Sequence, residues 1–257
     1  MRCARSATRS IRALSALAPL MPLVWVLVLA LVPAAAGVAG AQMLTVAETE
    51  ALVRASYFEG MPEEPASRIG PAGAERLVEM LFDPEEARSH AQILLALGLC
   101  GSPDSMSAIL AWSESLDGAA ALHGATALDG AAALHGATAL DRAAAPGGGE
   151  IDRNTFKAWQ ALPYAFGHLA RFDGRAIVHL ETLIHADAPN WTFRHHRGPR
   201  LRDLARRSAA TSLGLTGLPE ARRALDRAGR DASDARFDAH LRNARALHAE
   251  RTREVAN

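Results

Sequence analysis

Cysteine is nearly missing from this 257-residue chain. Cys3 and Cys100 are the only two, too few for a disulfide scaffold or a four-cysteine zinc site. Aromatic residues make up 5% of the chain, so any core must be built from Ala, Leu, Val and Ile. Lysine is rarer still. Lys157 stands alone among 28 basic residues, an arginine bias that fits GC-rich bacterial coding and makes arginine abundance weak support for nucleic-acid binding. No Gly-x-Ser-x-Gly, Walker loop, dinucleotide Gly-x-Gly-x-x-Gly or His-Glu-x-x-His pattern occurs, which removes the usual signatures of hydrolase, nucleotide and zinc-protease chemistry. Runs of alternating β-branched residues are also absent, so no strand is expected. What the chain has is 49% hydrophobic residues and 22% charged ones, the balance of an ordinary folded protein.

Net charge is zero, but the charges are not mixed evenly. Residues 42–150 hold 5 basic and 16 acidic side chains, and residues 151–257 hold 19 basic and 12 acidic. A split of this size biases how a protein docks.

The first 41 residues read as an export signal. Arg2, Arg5, Arg9 and Arg12 carry positive charge, Leu23 to Val32 is an unbroken apolar run, Pro33 breaks it, and Ala39-Gly40-Ala41 ends the stretch in an Ala-x-Ala pattern. Cleavage after Ala41 would deliver the rest to the periplasm or the exterior. An uncleaved membrane anchor is the alternative, because Leu14 to Ala36 is long enough to span, although Pro19, Pro22 and Pro33 interrupt it. Cys3 leaves with the signal, so Cys100 remains alone and is expected to be buried.

The remainder reads as helix after helix, in an N-terminal part (42–115) and a C-terminal part (151–257). Thr45-Val46-Ala47-Glu48 is a capping box that starts a helix running to about residue 58. Met61 to Gly70 reads as a loop, and Pro71 opens the next helix. Asp83-Pro84-Glu85-Glu86 predicts another start, and Gly101 its end. Ser102-Pro103 opens a helix carrying Met106, Ile109 and Leu110. Beyond Asp152 come a segment in which Pro163 predicts a kink or split, and a helix with Ile177, Leu180 and Ile184 on one face. A loop over Asp187 to Gly198 leads to helices opened by Pro199 and Pro219. The last helix presents Phe237, Leu241, Ala244 and His248.

Between the two parts, residues 116–145 repeat a hexapeptide five times, alternating Leu-Asp-Gly-Ala-Ala-Ala with Leu-His-Gly-Ala-Thr-Ala and ending Leu-Asp-Arg-Ala-Ala-Ala. Five hexads are too short for a β-solenoid to bury a core. Each of Gly118, Gly124, Gly130 and Gly136 weakens a helix by about 1 kcal/mol relative to Ala. Residues 116–150 therefore read as a mobile insertion or linker, disordered or a fraying helix rather than a functional module, closed by Gly147-Gly148-Gly149.

Two segments match each other. Leu97-Gly98-Leu99-Cys100-Gly101-Ser102-Pro103-Asp104 aligns with Leu213-Gly214-Leu215-Thr216-Gly217-Leu218-Pro219-Glu220, and a degenerate third copy begins at Phe166-Gly167. Here the first glycine permits close helix approach, the second ends the helix, proline starts the next and the acid favours its positive end. The pattern resembles HEAT-like repeats of the phycobilisome-lyase type. That resemblance implies an all-α superhelical stack of helix pairs and a binding surface; it implies no lyase activity. A plain helical bundle is the alternative.

The candidate site lies in the C-terminal part. Arg194, Arg197, Arg200, Arg202, Arg206 and Arg207 crowd fourteen residues with His195 and His196 and suit an acidic partner surface, with Trp191 and Phe193 as anchors in an exposed-looking loop; packing of both aromatics onto the end of the stack is the alternative for that pair. A solvated helix face is the plain alternative, with Asp203 placed to pair with Arg207 four residues on. The reading is a non-catalytic, cofactor-free protein-binding scaffold of the cell envelope with no nucleic-acid partner. The reading from another class is an exported metal-binding or hydrolytic enzyme using His179, His185, His195 and His196.

Overall fold

The computed structural model describes residues 42–57, 60–128, 149–231 and 234–256. The expected leader (1–41) and most of the hexapeptide segment (129–148) lie outside these residues. Within them the chain is all-α, with ten helices and isolated backbone bridges in place of strands.

The first helix, α1 (Val46–Arg54), starts as its sequence dictates: Thr45 Oγ1 accepts from the Glu48 amide at 3.2 Å, and the Glu48 carboxylate accepts from the Thr45 amide at 2.8 Å. The stretch expected as a loop contains a short helix, α2 (Glu63–Ala66), before α3 (Pro71–Leu81). Asp83 does cap, accepting from the Glu85 amide at 2.9 Å, but it opens a 3-10 turn over Pro84–Glu86, and α4 (His90–Cys100) begins six residues later than Asp83 suggests. Helix α4 buries side chains around its whole circumference, Ile93, Leu94, Ala96, Leu97 and Leu99 among them. An all-round apolar helix has to be enclosed on several sides, and this one is the centre of the N-terminal part.

Helix α5 spans Ser105–Leu128 and so runs through the first two hexads of the repeat, past the expected boundary at residue 115. The alanine and leucine content of the hexads carries the helix across Gly118 and Gly124 despite their local cost. Then come α6 (Arg153–Leu169), α7 (Arg175–His185), α8 (Gly198–Thr216), α9 (Pro219–Asp231) and α10 (Ala235–Ala256). Asp152 caps α6 by accepting from the Asn154 and Thr155 amides at 2.7 and 3.2 Å. Pro163 does not split α6.

Packing sorts the helices into two layers. In one, α4 lies on α6, α6 on α8 and α8 on α10. A small residue sits at each junction. A Cβ on Gly98 would come within 2.5 Å of the Ala165 carbonyl oxygen, one on Gly167 within 3.1 Å of Ser212 Cβ, and one on Gly214 within 2.5 Å of the Ala244 carbonyl oxygen. These are the first glycines of the three matched segments. Gly101 and Gly217, the second glycines of the two closely matched copies, cap α4 and α8 with left-handed φ of 63° and 69°, a conformation strained for other residues.

In the second layer α3 packs on α5 and α7 packs on α9. Among the described residues, α5 and α7 make no comparable packing, and a cleft opens between them over α6. Cys100 is largely buried, and that burial pushes its thiol pKa up.

Candidate functional site

Two features stand out at the C-terminal side of the cleft: the loop before α8 with its arginines, and the cleft itself.

The loop is pinned by short backbone pairings. The Ile151 amide donates to the Thr192 carbonyl at 2.9 Å, and Phe193 and His196 exchange amide-to-carbonyl bonds at 3.1 and 2.8 Å. That tight turn forces Arg194 into a left-handed φ of 52°, and its amide donates to the Glu150 carboxylate at 2.9 Å. Trp191 and Phe193 are therefore not exposed anchors. Trp191 is 1% exposed and Phe193 8%; both belong to a small core with Ile151, Phe156 and Leu201. Phe193 stacks on Phe156 at 4.0 Å between ring centroids, and Trp191 meets Trp159 edge-on at 5.0 Å. Aromatic side chains this large gain more by packing against the start of α6 than by standing in water.

The arginines divide into two groups. Arg206 is withdrawn from the surface: its side chain is 16% exposed, it pairs with Asp234 at 2.9 Å and its guanidinium lies 4.0 Å over the Phe237 ring. It therefore ties α8 to the start of α10, and the expectation that it faces a partner is corrected. Arg207 pairs with Asp203 at 2.9 Å, as the spacing predicts. Arg194, Arg197, Arg200 and Arg202 are exposed, and among the described residues no carboxylate lies within ion-pair distance of their side chains. Arg197 is the N-cap residue of α8 and makes no side-chain cap bond. Positive charge is thus concentrated at the positive end of a long helix, a self-repelling arrangement that an anionic group would relieve. His196 feels it: partial burial first, then Arg200, His195 and Arg194, hold its pKa below the ordinary histidine value.

The histidines do not converge. His179 on α7 packs against Phe166 at 4.4 Å, His185 is exposed at the end of α7, and His195 and His196 sit side by side in the turn with ring centroids 5.9 Å apart. Among the described residues no group of three His, Cys, Asp or Glu side chains is placed to hold a metal ion. The remaining inward histidines serve packing. His248 is bonded to the Leu218 carbonyl at 2.8 Å, and His90 lies within 3.1 Å of the Asp83 carbonyl.

The cleft has a volume of about 500 Å³. Ser113, Glu114 and Leu116 of α5, Trp159, Gln160 and Pro163 of α6, His179 and Leu183 of α7, residues 186–191, and Leu204, Ala205 and Ser208 of α8 form its walls. Sequence reasoning missed it because its residues come from five separate segments with no shared motif. The one available hint was that Trp159 and Trp191 are two of only four tryptophans in the chain. A second hollow of about 550 Å³ crosses the outer faces of α6, α8 and α10, where Tyr164, Leu215 and Leu247 are exposed. Two ion pairs on its walls, Arg171 with Glu63 at 2.6 Å and Arg251 with Glu254 at 2.9 Å, pair four of its charged side chains, and Glu250 is left without an ion pair among the described residues.

No described helix is long and apolar enough to cross a membrane. Comparison of the chain with family models, with curated proteins and with solved structures finds no match.

Proposed function

We propose that this chain is a non-catalytic protein-binding module of the bacterial cell envelope, built from HEAT-like helix pairs and docking an acidic partner on the corner where the 194–197 turn enters α8. The architecture is supported by the alternation of the two layers and by Gly98, Gly167 and Gly214, which occupy matched sequence positions and each stand at a junction between successive helices of one layer. Export is supported by the composition of residues 1–41 alone.

One observation carries the docking reading. Arg194, Arg197, Arg200 and Arg202 are exposed and lack carboxylate partners among the described residues, while the adjacent Arg206 and Arg207 are paired. Unneutralised like charges at a helix N-terminus favour association with an anionic surface and speed encounter with it.

The test is crosslinking of the chain to envelope proteins, run in parallel with a chain carrying Arg197→Glu, Arg200→Glu and Arg202→Glu. A protein crosslinked by the native chain and lost with the substituted one supports the proposal. Equal capture by both chains, or none by either, contradicts it. Arg206 is left unchanged because its loss would disturb the contact with Asp234 and Phe237.

A further inference from the structure

The gap between α5 and α7 is a concave recess with chemistry distinct from that of the basic corner. Four helices and one loop wall it, and its volume of about 500 Å³ falls within the range of small-molecule sites. Half-buried Trp159, Leu183 and Leu204 give it an apolar lining. Its charges are of one sign. Glu114 and Asp187 stand exposed on its walls, and among the described residues neither has a basic side chain within ion-pair distance. The other ionisable wall residue, His179, is held towards its neutral form by burial, against the pull of nearby Glu114. Among the described residues no arginine or lysine lines the recess, although the basic corner begins only a few residues along the same loop.

We propose that this recess binds a small organic cation, with an alkyl or aryl body against Trp159 and Leu204 and a protonated amine directed to Glu114 and Asp187. Removing the apolar body from water supplies the non-directional part of the affinity. The carboxylates and the tryptophan face select the charge of the head group. An anionic amphiphile of the same length would meet two like charges with no compensating cation in the walls. This site is independent of the docking reading: either can fail without the other.

Octylammonium, octanol and octanoate share one body and differ in head group, so they isolate the selection. Each is titrated into the full chain near pH 7, read by heat of binding and by tryptophan emission, since Trp159 and Trp191 are wall residues. Octylammonium is expected to bind about fivefold or more tightly than octanol, and octanoate more weakly than either. A chain with Glu114→Gln and Asp187→Asn should bring octylammonium to within about twofold of octanol. Ala205→Trp, which places an indole in the recess, should abolish binding of all three; Ser208→Phe serves the same purpose if that variant does not fold. These controls separate the recess from other apolar stretches of the chain. Octanoate binding as tightly as octylammonium, an unchanged cation preference in the double carboxamide chain, undiminished binding in the filled variant, or no binding of any probe would each overturn the proposal.

Discussion

The layer of α4, α6, α8 and α10 and the layer of α3, α5, α7 and α9 are made of similar helices but are joined differently. In the first layer every successive pair is in contact, and glycines let the backbones approach at each junction. In the second, α3 meets α5 and α7 meets α9, while among the described residues α5 and α7 make no comparable packing. The open step coincides with the place in sequence of the hexapeptide segment, which begins inside α5 and ends before α6. The continuous layer holds the molecule together. The interrupted layer leaves surface uncovered, and the recess lies there with the basic corner beside it.

The largest effects should come from disturbing the continuous layer. Gly98→Ala and Gly214→Ala each drive a methyl group to 2.5 Å from a carbonyl oxygen of the next helix. Each should lower stability by about 2–3 kcal/mol in urea melts, outweighing the roughly 1 kcal/mol that alanine gains in helix preference. Gly167→Ala meets Ser212 Cβ at 3.1 Å, a softer contact, and its net loss should stay under about 1 kcal/mol. Three equal losses would break the comparison, because junction geometry would then not be what distinguishes these sites.

Next in size is Arg206→Ala. It removes a half-buried ion pair and the cover over Phe237, and should cost about 1 kcal/mol.

A pH effect of similar or smaller size sharpens the contrast, because each layer carries one affected histidine. Burial lowers the pKa of His168 on α6 and of His179 on α7 below the ordinary 6.5. For His168 the nearby Arg171 and Arg251 act in the same direction and Glu63 opposes them. A group whose folded pKa is depressed binds fewer protons folded than unfolded. Stability from these two histidines is therefore present above pH 6.5 and is lost as pH falls through their folded values. Thermal melts should show Tm falling between near-neutral and mildly acidic buffer, with a smaller fall in His168→Gln and His179→Gln chains.

The smallest effect belongs to the surface proposed for docking. Glutamates at Arg197, Arg200 and Arg202 should change stability by no more than about 0.5 kcal/mol in the same urea melts, since these side chains are exposed and unpaired among the described residues. A large loss would show that the corner serves the fold.

Local rules made the helix ends legible. The Thr45 capping box and the closing glycines Gly101 and Gly217 are found where their side-chain chemistry or backbone freedom requires. The matched segments also picked out Gly98, Gly167 and Gly214, the residues at the layer junctions. What stayed hidden depended on distant partners. Trp191 and Phe193 read as exposed because the groups that bury them, Ile151 just before α6 and Phe156 in its first turn, are distant in sequence. Arg206 read as surface because Asp234 and Phe237 belong to the α9–α10 junction. Helix α5 extends to Leu128 because the alanines and leucines of the hexads outweigh two glycines, a balance that a glycine count alone misjudges. The recess follows from the sparse packing of α5 against α7 among the described residues, which no local residue pattern encodes.

Native-state hydrogen exchange on the whole chain tests the contrast between the layers most directly. The account predicts the slowest amides on the facing turns of α4 and α6 and of α8 and α10, exchanging only on global unfolding, with α5 and the 186–198 loop exchanging orders of magnitude faster through local opening. Protection of α5 and that loop equal to that of α4 and α6 would contradict it.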